Sequence, residues 1–128
     1  MQISKKSQYG LRAMVYLAKK NSKEFFSLKD ISAKENIPFD FLEKILSKLE
    51  KVGLLESKKG SLGGYCLAKS AGKITAGSIV EAVDGKIVPV QCALCVKAKR
   101  CISKNVWDKV KQSLSETLYS ITLKDLVE

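Results

Sequence analysis

The tract from Ser27 to Ala68 constrains the fold more than any other part of the chain. Ser27 is a strong helix N-cap, and Asp30 follows three residues later in a capping-box-like position. Leu28, Ile31 and Ala33 then predict a short helix over 28–35. Glu35-Asn36-Ile37-Pro38 reads as a turn. Pro38 has no N–H to donate and a φ already suited to a helix, so it is expected to open a longer helix over 38–52. That helix is expected to bury Leu42, Ile45, Leu46 and Leu49, with Phe39 or Phe41, and to stop at Gly53. Two short extended pieces, Leu54–Lys58 and Tyr65–Ala68, flank Lys59-Gly60-Ser61-Leu62-Gly63-Gly64, a glycine-rich connection that suits a β-hairpin.

Leu11, Met14, Val15, Leu17 and Ala18 recur at helical spacing and predict a first helix over 7–21. Helix, short helix, turn, longer helix and hairpin follow one another in the order of a winged helix-turn-helix. A further helix is expected over Ile74–Val83, with Ile79, Ala82 and Val83 on one face and a close near Gly85. From Ser103 onward Val106, Trp107, Val110, Leu114, Thr117 or Leu118, and Ile121 recur at three and four. This is a long amphipathic helix, and a 128-residue domain has little core to spare for it. It either forms a dimer interface or folds back on its own core. Thr122 and Asp125 suit a short capped turn through Leu126. The expected class is mainly α with a small β-hairpin: a winged helix-turn-helix over 1–85, a cysteine-containing sensor loop over 86–102, and a dimerisation helix with a C-terminal turn over 103–128.

Twenty-three basic residues against 13 acidic ones leave a net charge of +10. Such a surplus favours polyanions, nucleic acid or an anionic membrane surface. It is spread along the chain, with 13 basic and 7 acidic residues in 1–68 and 10 and 6 in the remainder. No apolar run approaches the roughly 18–20 residues that span a bilayer, and no signal-peptide pattern is visible. A cytoplasmic protein is therefore expected. Without histidine or a nucleophile–base pair, and with its glycines in the hairpin, the chain does not read as an enzyme.

In a winged helix-turn-helix the 38–52 helix would enter the major groove by its N-terminal end. The candidates there are Phe39, Asp40, Phe41, Glu43 and Lys44, with Ser47 and Lys48 one turn on. Phe39 can meet a thymine methyl and Glu43 can accept from a cytosine amino group. Lys44 and Lys48 can reach phosphate or guanine as point charges. Lys58, Lys59 and Ser61 put positive charge on the wing, and Ser27 and Lys29 can bind phosphate at the second helix's N-terminus. A winged helix used for protein contact is the alternative.

Cys92, Cys95 and Cys101 fall within ten residues, beside Lys97, Lys99, Arg100 and Lys104 and with no acid among them. Nearby cations lower thiol pKa and offset an anionic cluster, and several sulfurs must wrap one inorganic core. An iron–sulfur cluster (2Fe-2S or 4Fe-4S) is the expected cofactor. Zinc is the lesser alternative, and a disulfide switch or inert thiols also fit. Cys66, on an expected strand, reads as a small core residue.

Several tracts are similar to those of the iron–sulfur winged-helix regulators of the IscR and NsrR types. They are Met1-Gln2-Ile3-Ser4 through Tyr9-Gly10-Leu11-Arg12-Ala13-Met14, Phe41-Leu42-Glu43-Lys44-Ile45-Leu46, and the wing Gly60-Ser61-Leu62-Gly63-Gly64-Tyr65-Cys66-Leu67-Ala68. Ile74-Thr75-Ala76-Gly77-Ser78-Ile79-Val80 to Gly85 and Trp107, six places after Cys101, also resemble the family. The resemblance implies a homodimer joined by the long C-terminal helix and strengthens the cluster reading for Cys92, Cys95 and Cys101. The two-fold symmetry of such a dimer predicts a roughly palindromic double-stranded operator. The chain departs from the family in the short interval from Cys92 to Cys95. It also carries Lys104 and Gln8 where IscR-type and NsrR-type relatives place a histidine and an aspartate as the fourth ligand.

Overall fold

A computed structural model describes residues 3–20, 23–88 and 102–128. The elements run α1 (Lys5–Lys20), α2 (Leu28–Glu35), α3 (Phe39–Lys51), β1 (Leu55–Lys58), β2 (Gly64–Leu67), α4 (Ala76–Asp84), α5 (Lys104–Ser120) and α6 (Leu123–Val127), with a 3-10 turn at Ala71–Lys73. The winged helix-turn-helix order is present, and the long C-terminal helix follows it.

Local chemistry explains most boundaries. The first helix starts two residues before the expected 7–21, because the Ser4 hydroxyl accepts from the Ser7 N–H at 3.1 Å. α2 covers the expected 28–35, with the Ser27 hydroxyl accepting from the Asp30 N–H at 3.0 Å. It ends where Asn36 turns left-handed, at φ 54°. Pro38 stands just outside α3 as its N-cap, with ψ 130°, and does not occupy the first helical position. The far end stops as expected at Gly53, whose φ of 82° lets the Leu54 N–H reach back to the Leu49 carbonyl at 3.0 Å. α3 buries Leu42, Ile45, Leu46 and Leu49. Neither phenylalanine joins them: Phe39 and Phe41 are both exposed.

The hairpin is antiparallel, with Leu55 opposite Leu67 and Lys58 opposite Gly64. A third segment extends it, since Phe26 and Tyr65 exchange backbone hydrogen bonds of 2.9 and 2.8 Å. The base of the wing is thereby fixed to the residue preceding the α2 N-cap. A Cβ on Gly64 would lie 2.7 Å from the Ser27 nitrogen, so only glycine permits this approach.

α4 begins at Ala76 rather than Ile74, because Thr75 and Ser78 form a reciprocal capping box. The same box recurs at Thr122 and Asp125 ahead of α6. Thr75 and Thr122 are paired, with the Leu123 N–H bonded to the Ile74 carbonyl at 2.9 Å. This bridge returns the C-terminus to the middle of the domain, and Leu123 is fully buried beside the core of α1, α3 and α4. Burying a leucine of this kind contributes roughly 1.5–3 kcal/mol.

α5 is different. No residue of its 17 is buried within the chain. Its C-terminal end rests on α4, where the Tyr119 ring lies over Gly77 and its hydroxyl donates to Glu81 Oε2 at 2.5 Å. That bond, then burial, then the Glu81 charge push the Tyr119 pKa up to about 12. Farther along, Lys109, Val110, Ser113, Leu114, Thr117 and Leu118 line an open groove of about 380 Å³.

Candidate nucleic-acid interface

The four core residues of α3 lie on one side of the helix, so its other faces are free to carry polar chemistry. Asp40, Phe41, Glu43, Lys44, Ser47 and Lys48 line one groove of about 600 Å³, together with Lys6 from α1, Lys51 and the end of α4 at Val83. Six sequence-predicted residues are thus brought together. Lys6 and Lys51 were not anticipated; Lys51 is one helical turn beyond Lys48, a periodicity visible in the sequence, whereas Lys6 arrives only through packing of α1 on α3.

Along the groove the carboxylates come first. Asp40 and Glu43 occupy the first turns of α3 and Lys44, Lys48 and Lys51 the later ones, while Glu50, also in the last turn, does not line it. Phe39 is 47% exposed at the N-terminal tip and does not line the groove. Phe41 packs edge-on against Tyr9, with ring centroids 5.9 Å apart. The Arg12 guanidinium sits 5.8 Å above the same tyrosine ring and donates to the Glu35 carbonyl, tying α1 to the end of α2.

Lys48 has a second role. Its Nζ donates to the Val83 carbonyl at 3.2 Å, so it braces α3 against the last turn of α4. The adjoining Asp84 accepts from both Ser4 and Ser7 hydroxyls, which satisfies the otherwise buried Ser7. Three helices therefore meet at the point where the chain leaves α4.

Ser27 and Lys29 lie outside the groove. The Ser27 hydroxyl is occupied by the Asp30 N–H, and Lys29 is exposed. On the wing Lys58, Lys59 and Ser61 are all exposed, and Lys58 Nζ lies 6.0 Å from the centre of the Phe25 ring. Tyr65, at the wing base, has its pKa raised by burial and then by the Glu50 and Glu43 carboxylates, so wing and recognition helix are close enough to share a field. Leu62, at the wing tip, is 85% exposed and was not singled out from the sequence.

Cys92, Cys95 and Cys101 lie outside the described residues, as do Lys97, Lys99 and Arg100. Among the described residues no three cysteine, histidine or carboxylate side chains gather as a metal site. Cys66 is buried on β2, with its sulfur 4.0 Å from Glu56 Oε2. Burial, followed by that carboxylate, pushes its thiol pKa up, which disfavours a ligating thiolate. Gln8 donates to the Ile3 carbonyl at 2.9 Å, and Lys104 pairs with Asp108 at 3.8 Å. No helix among the described residues is long and apolar enough to cross a membrane.

A short capped helix, an exposed recognition helix and a basic glycine-rich wing define a winged-helix DNA-binding regulator of transcription rather than an enzyme. Residues 3–128 match the Rrf2 family, described as iron-dependent transcriptional regulators, and the chain belongs to that family. The transcriptional regulator CymR of Bacillus subtilis is 36% identical over 126 residues, spanning 98% of this chain and 89% of CymR. The CymR structure, titled as that of the global cysteine regulator of B. subtilis, superposes with a TM-score of 0.82 at 38% identity, covering 99% of this chain and 96% of that one. The IscR structure from T. potens gives a TM-score of 0.83 at 35% identity, covering 99% and 86%.

Proposed function

We propose that the chain is a homodimeric, sequence-specific regulator that reads a roughly palindromic operator and answers to an iron–sulfur cluster on Cys92, Cys95 and Cys101. The observation that carries the DNA reading is the α3 groove, where the carboxylates of Asp40 and Glu43 lie side by side with the ammonium groups of Lys44, Lys48 and Lys51. In this reading Asp40 and Glu43 test base edges, and Lys44 and the wing's Lys58 and Lys59 hold phosphate. Residues 1–85 form the DNA-binding unit, 86–102 the sensor segment and 103–128 the dimerisation element. The groove along Val110, Leu114 and Leu118 supports pairing of α5 with a second copy. Two-fold symmetry then sets half-sites about one helical turn apart.

The donor set fits a cluster in part. Three thiolates with surrounding cations suit an anionic iron–sulfur core, and the chain holds no histidine that would favour a mixed zinc site. Among the described residues Cys66 is committed to the wing and Lys104 pairs with Asp108, whereas Gln8 donates its amide N–H to the Ile3 carbonyl, a bond that does not use its oxygen. A bound cluster would supply a centre sensitive to iron, oxidants or nitric oxide. A second reading is a cluster-free regulator controlled by a protein partner, with the cysteines inert, zinc-bound or a thiol switch; the likeness to CymR, titled a cysteine regulator, supports only its being cluster-free.

Oxygen-free purification separates the two. Visible absorption with stoichiometric iron and sulfide supports the cluster. A colourless, iron-free protein that binds its operator normally leaves the cluster-free regulator. A binding constant insensitive to salt would refute the phosphate contacts common to both.

A further inference from the structure

We propose that Leu62 is a DNA-contacting residue, an apolar probe that the wing inserts into the minor groove while Lys58 and Lys59 hold the flanking phosphates. The inference rests on the DNA-binding reading above and adds to it a residue and a mode of contact. Leu62 is the most exposed leucine among the described residues of this domain, at 85%, and it contributes nothing to the core. A single exposed leucine on a surface is ordinary. The setting of this one is not.

Leu62 sits third in the turn Gly60-Ser61-Leu62-Gly63, which is closed by a hydrogen bond of 3.0 Å from the Gly63 N–H to the Gly60 carbonyl. Gly60 has a φ of 110° and Gly64 a φ of 144°, conformations that side-chained residues rarely adopt. A Cβ on Gly63 would lie 2.8 Å from the Lys58 carbonyl carbon, so the two arms of the tip approach as closely as backbone allows. Below the tip, the Phe26–Tyr65 bridge fixes the wing to the start of α2. The leucine is therefore presented at the end of a narrow, braced hairpin, and little ordering is left to occur on binding.

The neighbours decide what it meets. Lys58, Lys59 and Ser61 are exposed on the same loop, with no carboxylate between Ser57 and Lys69. Positive charge on the arm leading into an apolar tip complements the phosphate row along one wall of a minor groove, and the uncharged returning arm leaves the tip free to enter it. Leucine is among the side chains that wedge between base steps there, unstacking deformable steps and bending the duplex. Such a contact reads groove width and step flexibility, not base-edge hydrogen bonds.

The test uses the full-length protein and a duplex recovered with it from a randomised pool, with affinity followed by fluorescence anisotropy across a salt series. Leu62→Ala is expected to weaken binding about tenfold at every salt concentration, leaving the slope of log K against log salt unchanged. Lys59→Ala should reduce that slope by about one. Leu62→Ala binding within about twofold of the parent protein overturns the proposal, as does a Leu62→Ala loss confined to self-association in sedimentation. If no duplex is recovered, or the parent slope is zero, the DNA-binding reading itself has failed and the wing contact fails with it.

Discussion

Replacing Gly77 with alanine should destabilise the protein, although glycine-to-alanine changes in helices ordinarily do the reverse. Gly77 lies in the first turn of α4, where alanine would contribute at most about 1 kcal/mol of helix propensity. Its added Cβ would stand 2.6 Å from Cγ of Tyr119, so the ring must leave. The ring's departure removes the 2.5 Å hydroxyl bond to Glu81. For this partly exposed pair that bond is worth about 1 kcal/mol, below the usual range for charged acceptors. Tyr119 is 41% exposed, so its contact with α4 adds about another 1.5 kcal/mol. The net loss is about 1.5 kcal/mol, read as a lower urea midpoint at fixed protein concentration. On a Tyr119→Ala background the same change should be neutral or stabilising, since nothing remains for the methyl to strike. A stabilising Gly77→Ala in the parent protein would refute the docking of α5 described above. The same bond predicts a pH effect. The folded-state tyrosine pKa is raised to about 12 from 10, so its contribution is complete below pH 10 and is lost as pH rises toward 12.

Other substitutions separate the roles of individual side chains. Glu43→Ala should alter sequence preference among operator variants more than overall affinity, measured by competition between duplexes; unchanged preference would remove Glu43 from the base edges. Lys48→Met keeps the apolar stem but loses the bond to the Val83 carbonyl, and should lower stability by about 1 kcal/mol by urea titration with little change in the salt slope. Leu114→Lys places a charge in the α5 groove and should convert a dimer to monomer in sedimentation, weakening operator binding at least tenfold (about 1.4 kcal/mol) through loss of the second half-site.

What was legible in the sequence was local. The Ser27 cap, the break at Gly53, the Thr122–Asp125 cap and the glycine-rich hairpin each depend on residues a few places apart, and each formed where expected. The Thr75–Ser78 box was also local and written in the chain; the apolar Ile74 drew the expected start of α4 two residues too early. What was not legible depended on distant partners. Lys48 meets Val83, Ser7 meets Asp84, and Thr75 pairs with Thr122, separations that no periodicity encodes. The two phenylalanines misled because amphipathic spacing marks a face as apolar without saying whether anything covers it. Phe41 packs edge-on against Tyr9 yet stays exposed, as does Phe39. The α3 groove was anticipated for six of its residues, because a single helix carries them.

The link between the cysteines and DNA is best measured as operator affinity in two states of the same protein. Oxygen-free protein, its iron-chelated form and the Cys92→Ser/Cys95→Ser/Cys101→Ser variant would be titrated against one selected duplex at fixed salt. A cluster-responsive regulator gives coloured protein and a shift in Kd of about tenfold or more, shared by chelation and the triple variant. Equal Kd for all three, from protein that carries no iron, would contradict a cluster-set switch.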